Sequence, residues 1–466
     1  MSRFTSRLPL GEKNLPDAPK LRRLIGPSFI LLGLGLGSGE VILWPYFASN
    51  HGLGMVWAII VGVTMQFFIN MEVERYALIF GESIFVGFAR MFRWLPVWFI
   101  LSTFFGFGWP GIGLAGATLI AQAFGIGDVR LVGIVLFLII GCILSFGAVL
   151  YRTVERLQMI LIGIGVPFIF LLTLYLVEHT DFIALAKGAV GAGEGFTFLP
   201  VGVSLATFLG ALAYAGAGGN LNLAQSCYVR DKGYGMGAYA HKITSLITGR
   251  HRQQTYSITG NTFPLTKTNL QSFRHWWRAV NMEHFLVFWV LGLFTMLTLS
   301  LLAYATTYGM SGNAEGIGFV LNEAAAIGVA TIPFLSILFL FVMGIMLAAT
   351  QLTVLDSTSR IMTENILLLR RTPSANVSRT YYLILWLQIL FGIAVFSAGF
   401  DQPRDLIVLG AVINAFTMFS YTGLLLFLNN RFLPAALRPH PVRSLVLVAT
   451  FLFFGVFCTL TVLSYI

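Results

Sequence analysis

The chain is poor in charge. Of its 466 residues only 10% are Asp, Glu, Lys or Arg, while 57% are hydrophobic. A soluble domain carries about 25% charged residues. A water-facing fold is therefore excluded, and an all-α protein crossing the membrane many times is expected. Cysteine is nearly absent. Cys142, Cys227 and Cys458 stand far apart, mostly in apolar runs, with no spacing for a disulfide framework or a zinc site. They read as buried thiols. Histidine is scarce too. His51, His179, His241, His251, His275, His284 and His440 fall mostly in loops or at run ends, which argues against a membrane enzyme and its clustered polar groups at depth. The net charge of +10 does not point to nucleic acid, because the basic residues lie between apolar runs. No cleavable signal peptide is visible, since the chain is polar and basic through Arg23.

What is present is a series of apolar runs of roughly 20 residues, the length that crosses a hydrocarbon core of about 30 Å. Eleven are read, at about 26–48, 53–72, 95–122, 131–150, 157–178, 200–226, 284–309, 332–358, 380–398, 405–428 and 444–465. Backbone polar groups in lipid need internal partners, so these runs are helices. The alternation of a barrel is missing. With the N-terminus inside, 26 of the 29 Lys and Arg face the cytoplasm; only Arg130, Lys187 and Arg404 lie outside. The bias predicts N-terminus in and C-terminus out, in the plasma (inner) membrane. The partners that follow are a lipid bilayer and a small ion or solute.

Two runs carry glycine clusters. One is Gly33-Leu34-Gly35-Leu36-Gly37-Ser38-Gly39-Glu40, the other Tyr214-Ala215-Gly216-Ala217-Gly218-Gly219-Asn220. They lie five runs apart, and each ends on a polar residue. Glycine-interrupted helices at matching positions of two halves point to a binding site at the bilayer midplane. The expected organisation is a cytoplasmic arm over 1–25, a first repeat over 26–178, a second of inverted topology over 200–428 and an added helix at 444–465. Helices 1 and 6 are expected to be broken. The stretch 228–283 reads as a flexible cytoplasmic loop ending in an interfacial anchor, Arg274-His275-Trp276-Trp277-Arg278. Stretches 179–199 and 310–331 are expected to hold short surface helices.

The polar residues within these runs are the candidate site. Glu40 is a carboxylate in the middle of an apolar run, and such charges face a cavity or a partner. Tyr214 to Asn220 supply freed carbonyls and an amide. Asp356 could form a coupling-cation site with Thr353 and Ser357, or instead pair with Arg360 one turn on. Glu72, Glu74 and Arg75, at the cytoplasmic end of the second run, read as an inner gate or a snorkelling ion-pair cluster.

These residues resemble the natural resistance-associated macrophage proteins, the Nramp metal transporters. Gly26-Pro27-Ser28-Phe29 is similar to the opening of that family's first helix. Met65-Gln66, Glu74-Arg75 and Gly81-Glu82-Ser83 track its second, and Ala348-Ala349-Thr350-Gln351 with Glu364 is similar to its eighth. The family's metal-binding Asp-Pro-Gly-Asn falls on Gly37-Ser38-Gly39-Glu40, and its Met-Pro-His-Asn on Ala217-Gly218-Gly219-Asn220. The resemblance implies a LeuT-like fold of two inverted five-helix repeats. It implies substrate contacts from Gly37, Ser38, Glu40, Tyr214, Ala217 and Asn220, with Glu40, the Tyr214 carbonyl and Asn220 as metal ligands. The family's carboxylate and thioether positions are Gly37 and Ala217 here. The lost sulfur argues against soft-metal selection, and oxygen ligands suit Mg²⁺. Helix 3 lacks the acids and helix 9 most of the arginines of the family's proton route, so that route is not expected. The resemblance thus implies a divalent-cation carrier without a tightly bound cofactor, the transported or coupling cation being Mg²⁺, Mn²⁺ or Na⁺. A cation-coupled carrier of a small organic solute is the alternative.

Overall fold

The computed structural model describes residues 8–19, 24, 26–146, 150–240, 258–370, 377–399 and 402–463. Ten helical stretches among them are long and apolar enough to cross a membrane, and the chain is a multi-pass membrane protein. We number them with the broken sixth: α1 Pro27–His51, α2 Leu53–Phe80, α3 Leu95–Phe124, α4 Val129–Phe146, α5 Leu150–Leu176, α7 Lys267–Thr307, α8 Pro333–Arg370, α9 Val377–Ser397, α10 Pro403–Arg431 and α11 Pro441–Leu463. The sixth consists of two half-helices, α6a Leu205–Ala213 and α6b Leu221–Lys232. Neither half is long enough alone; together they supply the eleventh crossing. Short helices His179–Gly188 and Gly318–Ala330 lie in the two stretches where surface helices are expected.

At least four segments depart from straight helix, one of them a π-helix over Phe285–Leu291 within α7. Between α6a and α6b the chain runs through Gly216, Gly218 and Gly219, with φ of 132°, 73° and 47°. Side chains rarely adopt this left-handed region, so glycine is what permits the break. The break expected in α1 takes another form. The chain stays helical but widens to a π-helix over Leu36–Leu43, the kind of bulge found at functional sites. Another departure, in α3, has no counterpart in the sequence reading. Helix α3 is interrupted between Phe107 and Gly111, where Pro110 has no amide hydrogen to bond the Gly106 carbonyl.

Helix α8 runs through the middle of the bundle, packed on α3, α1, α5 and α9. The stretch 228–283 is not a single loop. Its last residues, from Lys267, already belong to α7; residues 241–257 lie outside the described residues. The expected Trp276-Trp277 anchor is also different. Trp276 packs against Tyr234 and donates to the Pro16 carbonyl at 2.7 Å. Trp277 stacks under Arg75 and Arg443. These rings hold elements together at the basic end of the bundle, Trp276 buried and Trp277 half-buried. Cys227 and Cys458 are buried as expected, but Cys142 is exposed.

Candidate functional site

The π segment of α1 packs straight onto the break in helix 6. A Cβ on Gly35 would lie 3.0 Å from the Gly216 carbonyl carbon, and one on Gly39 only 1.7 Å from the Tyr214 oxygen. The same run meets α8 at Gly37, where a Cβ would strike the Thr350 side chain at 2.4 Å. The glycines therefore serve close approach. The Tyr214 carbonyl lies directly against Gly39, where the resemblance puts a backbone ligand.

The break is spliced by a residue outside the expected site. Gln66 of α2 donates from Nε2 to the Ala213 carbonyl at 3.0 Å and the Leu212 carbonyl at 3.4 Å. Its Oε1 accepts from the Gly218 amide at 3.0 Å. One amide thus satisfies the end of α6a and the break itself, groups that would otherwise be buried and unpaired.

A second missed residue is Asn414 of α10. Its Nδ2 donates to the Gly106 carbonyl at 3.0 Å and to the Tyr214 hydroxyl at 3.0 Å. The first bond satisfies the carbonyl that Pro110 leaves free, so Asn414 joins the breaks of α3 and helix 6. The space is tight: a Cβ on Gly106 or Gly219 would fall 2.3 or 2.1 Å from Asn414 Oδ1. An amide in the middle of the 405–428 run was the available signal.

The expected metal ligands do not converge. Glu40 is buried, 1% exposed, and turns toward α7, where its Oε2 accepts from the Thr295 hydroxyl. Asn220 turns toward α3, where its Nδ2 donates to Ser102 Oγ and Thr103 Oγ1, both at 2.8 Å. Among the described residues no group of three or more His, Cys, Asp or Glu could hold a metal. Ala217 is buried at the joint. The side chain of Ser38 lies outside the described residues.

What the joint does offer is oxygen without donors. Asn220 Oδ1, Asn222 Oδ1 and Asn414 Oδ1 are all buried with no hydrogen-bond partner. Each bare buried acceptor costs about 1–3 kcal/mol and calls for an explanation. Beside them, Gly106, Phe107, Trp109, Tyr214, Gln351 and Leu406 border a hollow with room for about one water molecule.

Of the residues expected at a coupling-cation site, Asp356 and Ser357 meet at Tyr228 and Thr353 does not join them. Asp356 Oδ1 accepts from Arg360 Nε at 2.9 Å and Tyr381 at 2.7 Å; Oδ2 accepts from Arg360 Nε at 3.0 Å and Tyr228 at 3.0 Å. Ser357 bonds Tyr228 at 2.6 Å. Thr353 faces away, to Gln158 of α5 and the Ala349 carbonyl. The pairing with Arg360 is what the chain adopts. Arg360 also pairs with Asp231, and Arg230 with Glu364 at 2.9 Å. The expected inner gate divides as well. Glu72 pairs with Arg75 at 2.7 Å and Arg443 at 3.5 Å, while Glu74 turns to Gln225 of α6b.

No family model and no curated protein sequence matches the chain. Solved structures do match. A crystal structure of the Eremococcus coleocola manganese transporter, in complex with an aromatic bis-isothiourea substituted compound, aligns at a TM-score of 0.66 with 12% identity, over 97% of this chain and 90% of that one. MhsT in complex with L-phenylalanine aligns at 0.58 with 11% identity, over 98% and 100%. Mhp1, a nucleobase-cation-symport-1 family transporter with bromovinylhydantoin bound, aligns at 0.52 with 12% identity, over 98% and 96%. At such identities the likeness establishes the fold, the LeuT-like arrangement expected from the broken helices.

Proposed function

We propose that the chain is a secondary transporter, a divergent relative of the Nramp proteins, that moves a small cation by alternating access. Residues 26–178 and 200–428 form its two repeats, with the N-terminus inside, and one bundle rocks against the other about the joint of α1 and helix 6. The observation that carries the reading is the set of donor-free oxygens of Asn220, Asn222 and Asn414 at that joint. Oxygens of this kind suit hard cations such as Mg²⁺ or Na⁺. Glu40 supplies the negative charge. It is the only acidic residue of α1, and no cationic side chain among the described residues pairs with it. Rotation of α1 about its π segment brings Glu40 from Thr295 toward the Tyr214 carbonyl.

A second reading has an observation of its own. The scattered directions of Glu40 and Asn220 form no cage, and lone amide oxygens equally accept N–H or O–H donors from a small organic solute. Uptake by proteoliposomes and thermal shifts separate the two. Cation transport predicts stabilisation by divalent salts and uptake of Mg²⁺ or Mn²⁺ that falls about tenfold or more in Glu40→Gln, roughly 1.4 kcal/mol or more of cation binding, at unchanged expression. Unchanged uptake removes Glu40 from the site. Stabilisation by an amino acid or similar solute, and by no salt, establishes the second reading.

A further inference from the structure

Away from the α1/helix-6 joint, toward the basic end of the bundle, three carboxylates gather where α1, α2, α5, α6b and α7 meet. Glu155 of α5 pairs with Lys232 at the end of α6b. Glu283 of α7 accepts from the Gly26 amide at 3.3 Å and from the Ser28 hydroxyl. Glu74 of α2 receives only one weak bond, from Gln225 Nε2 at 3.3 Å. Its other oxygen is buried with no donor. Glu74 and Glu283 lie close enough to feel each other's charge.

The side chains around Glu74 do not balance this charge. Among the described residues, α2 itself adds Asn70, whose amide is buried and unpartnered. Gln225 of α6b reaches Glu74 itself, while the other groups gather at Gly26: a Cβ there would lie 2.1 Å from Glu155 Oε1, 2.7 Å from the Tyr151 hydroxyl and 2.9 Å from Lys232 Nζ, and the Gly26 amide donates to Glu283. His284 contacts Ser28 through Nδ1 at 2.8 Å, while its Nε2 has no partner. The nearby cations of α2 and α11, Arg75 and Arg443, are engaged with Glu72. Glu74 and Glu283 are thus both buried, and the ammonium of Lys232 is paired with Glu155. Buried ions that lack partners neutralise themselves by taking up protons. Glu155 has its lysine and Glu283 two donors; Glu74 has the single long bond from Gln225 and one bare oxygen.

A fourth polar group belongs to the cluster. Tyr234 lies beyond the end of α6b, only 3% exposed, and its hydroxyl has no partner. Burial first, and then the charges of Glu283, Glu74 and Glu155, push its phenol up from the ordinary value. Its hydroxyl is an unused donor within reach of the acids' charge.

We infer that Glu74, with Glu283, Gln225 and Tyr234, forms a proton-binding site on the basic side of the bundle, separate from the joint that holds the cargo. With the proton on Glu74, α2 and α7 pack as they do here. Without it, two like charges meet in a low-dielectric space and drive the helices apart, which makes the site a proton-controlled gate. It lies on none of the elements where the family's proton route was sought.

Infrared difference spectra of the purified full-length protein, taken while the pH is raised, read the protonated carboxyl directly and need no cargo. Failure there leaves the cargo reading untouched. The expected result is a carboxylic C=O band that loses the equivalent of one carboxyl per chain in Glu74→Gln and keeps it in Glu72→Gln. A Glu74→Gln spectrum identical to the wild type overturns the proposal. Should that variant not fold, Glu283→Gln gives a second reading. Removing the neighbouring charge eases ionisation, so the Glu74 band titrates at lower pH. An unmoved midpoint overturns it equally.

Discussion

Gly39→Ala should abolish transport while leaving a protein that still inserts. The added methyl would lie 1.7 Å from the Tyr214 carbonyl oxygen and 2.7 Å from its carbon. These are backbone atoms at the mouth of the helix 6 break and cannot rotate aside. Either the π segment of α1 moves away or the break does, and the oxygens between them separate. Overpacking of this kind costs about 1–3 kcal/mol, occasionally more. Since each 1.4 kcal/mol is tenfold, the closed arrangement becomes roughly 5- to 150-fold rarer. Proteoliposome uptake should fall by that factor. A lowered melting temperature should accompany it. Gly163, whose Cβ would meet nothing within 4 Å, supplies the matched control, and Gly163→Ala should behave as wild type. Full activity in Gly39→Ala would mean that α1 and helix 6 need not touch.

The second large effect belongs to the fold. Arg360 is 2% exposed and lies between Asp356 and Asp231. Removing one partner of a buried ion pair costs about 3–5 kcal/mol, because the other charge is left uncompensated. Arg360→Met leaves Asp356 with no cation and Asp231 with Arg230 alone. The expected outcome is severe loss of folded protein, seen as aggregation or failure to elute as a single species. Arg360→Met paired with Asp356→Asn and Asp231→Asn should recover much of it, since the stranded charges are gone. A fold-neutral Arg360→Met would contradict the ion-pair account and free Asp356 for the coupling role its sequence context suggested.

The spans were legible in the sequence because lipid permits few alternatives, and a run of apolar residues there is a helix. The helix 6 break was legible for a related reason: Tyr214 to Asn220 contains three glycines in seven residues. The α1 glycines carry the same signature but a different outcome. Gly35, Gly37 and Gly39 each face a neighbour too close for a side chain, so the helix widens without unwinding. Composition does not separate those cases; packing does. Pro110 was visible, but its effect depends on Asn414, 304 positions along the chain. Gln66 and Asn414 are single amides in apolar runs, and their roles come from which broken ends they reach. The charged clusters were legible as ion pairs but not in their partners across the bundle. Neighbours in sequence, such as Glu72 and Glu74, point to different faces of a helix, and Asp356 had Arg360 one turn away.

The central claim is that α1 and helix 6 meet at the site that opens alternately to each side. It is tested most directly at Ala217, small and buried within the break. A protein with Cys142, Cys227 and Cys458 replaced by alanine and carrying Ala217→Cys can be treated with a membrane-impermeant thiol reagent from either face of a proteoliposome. The account predicts labelling from both faces, with saturating cargo slowing it. Labelling from one face alone, at a rate that cargo leaves unchanged, would contradict it.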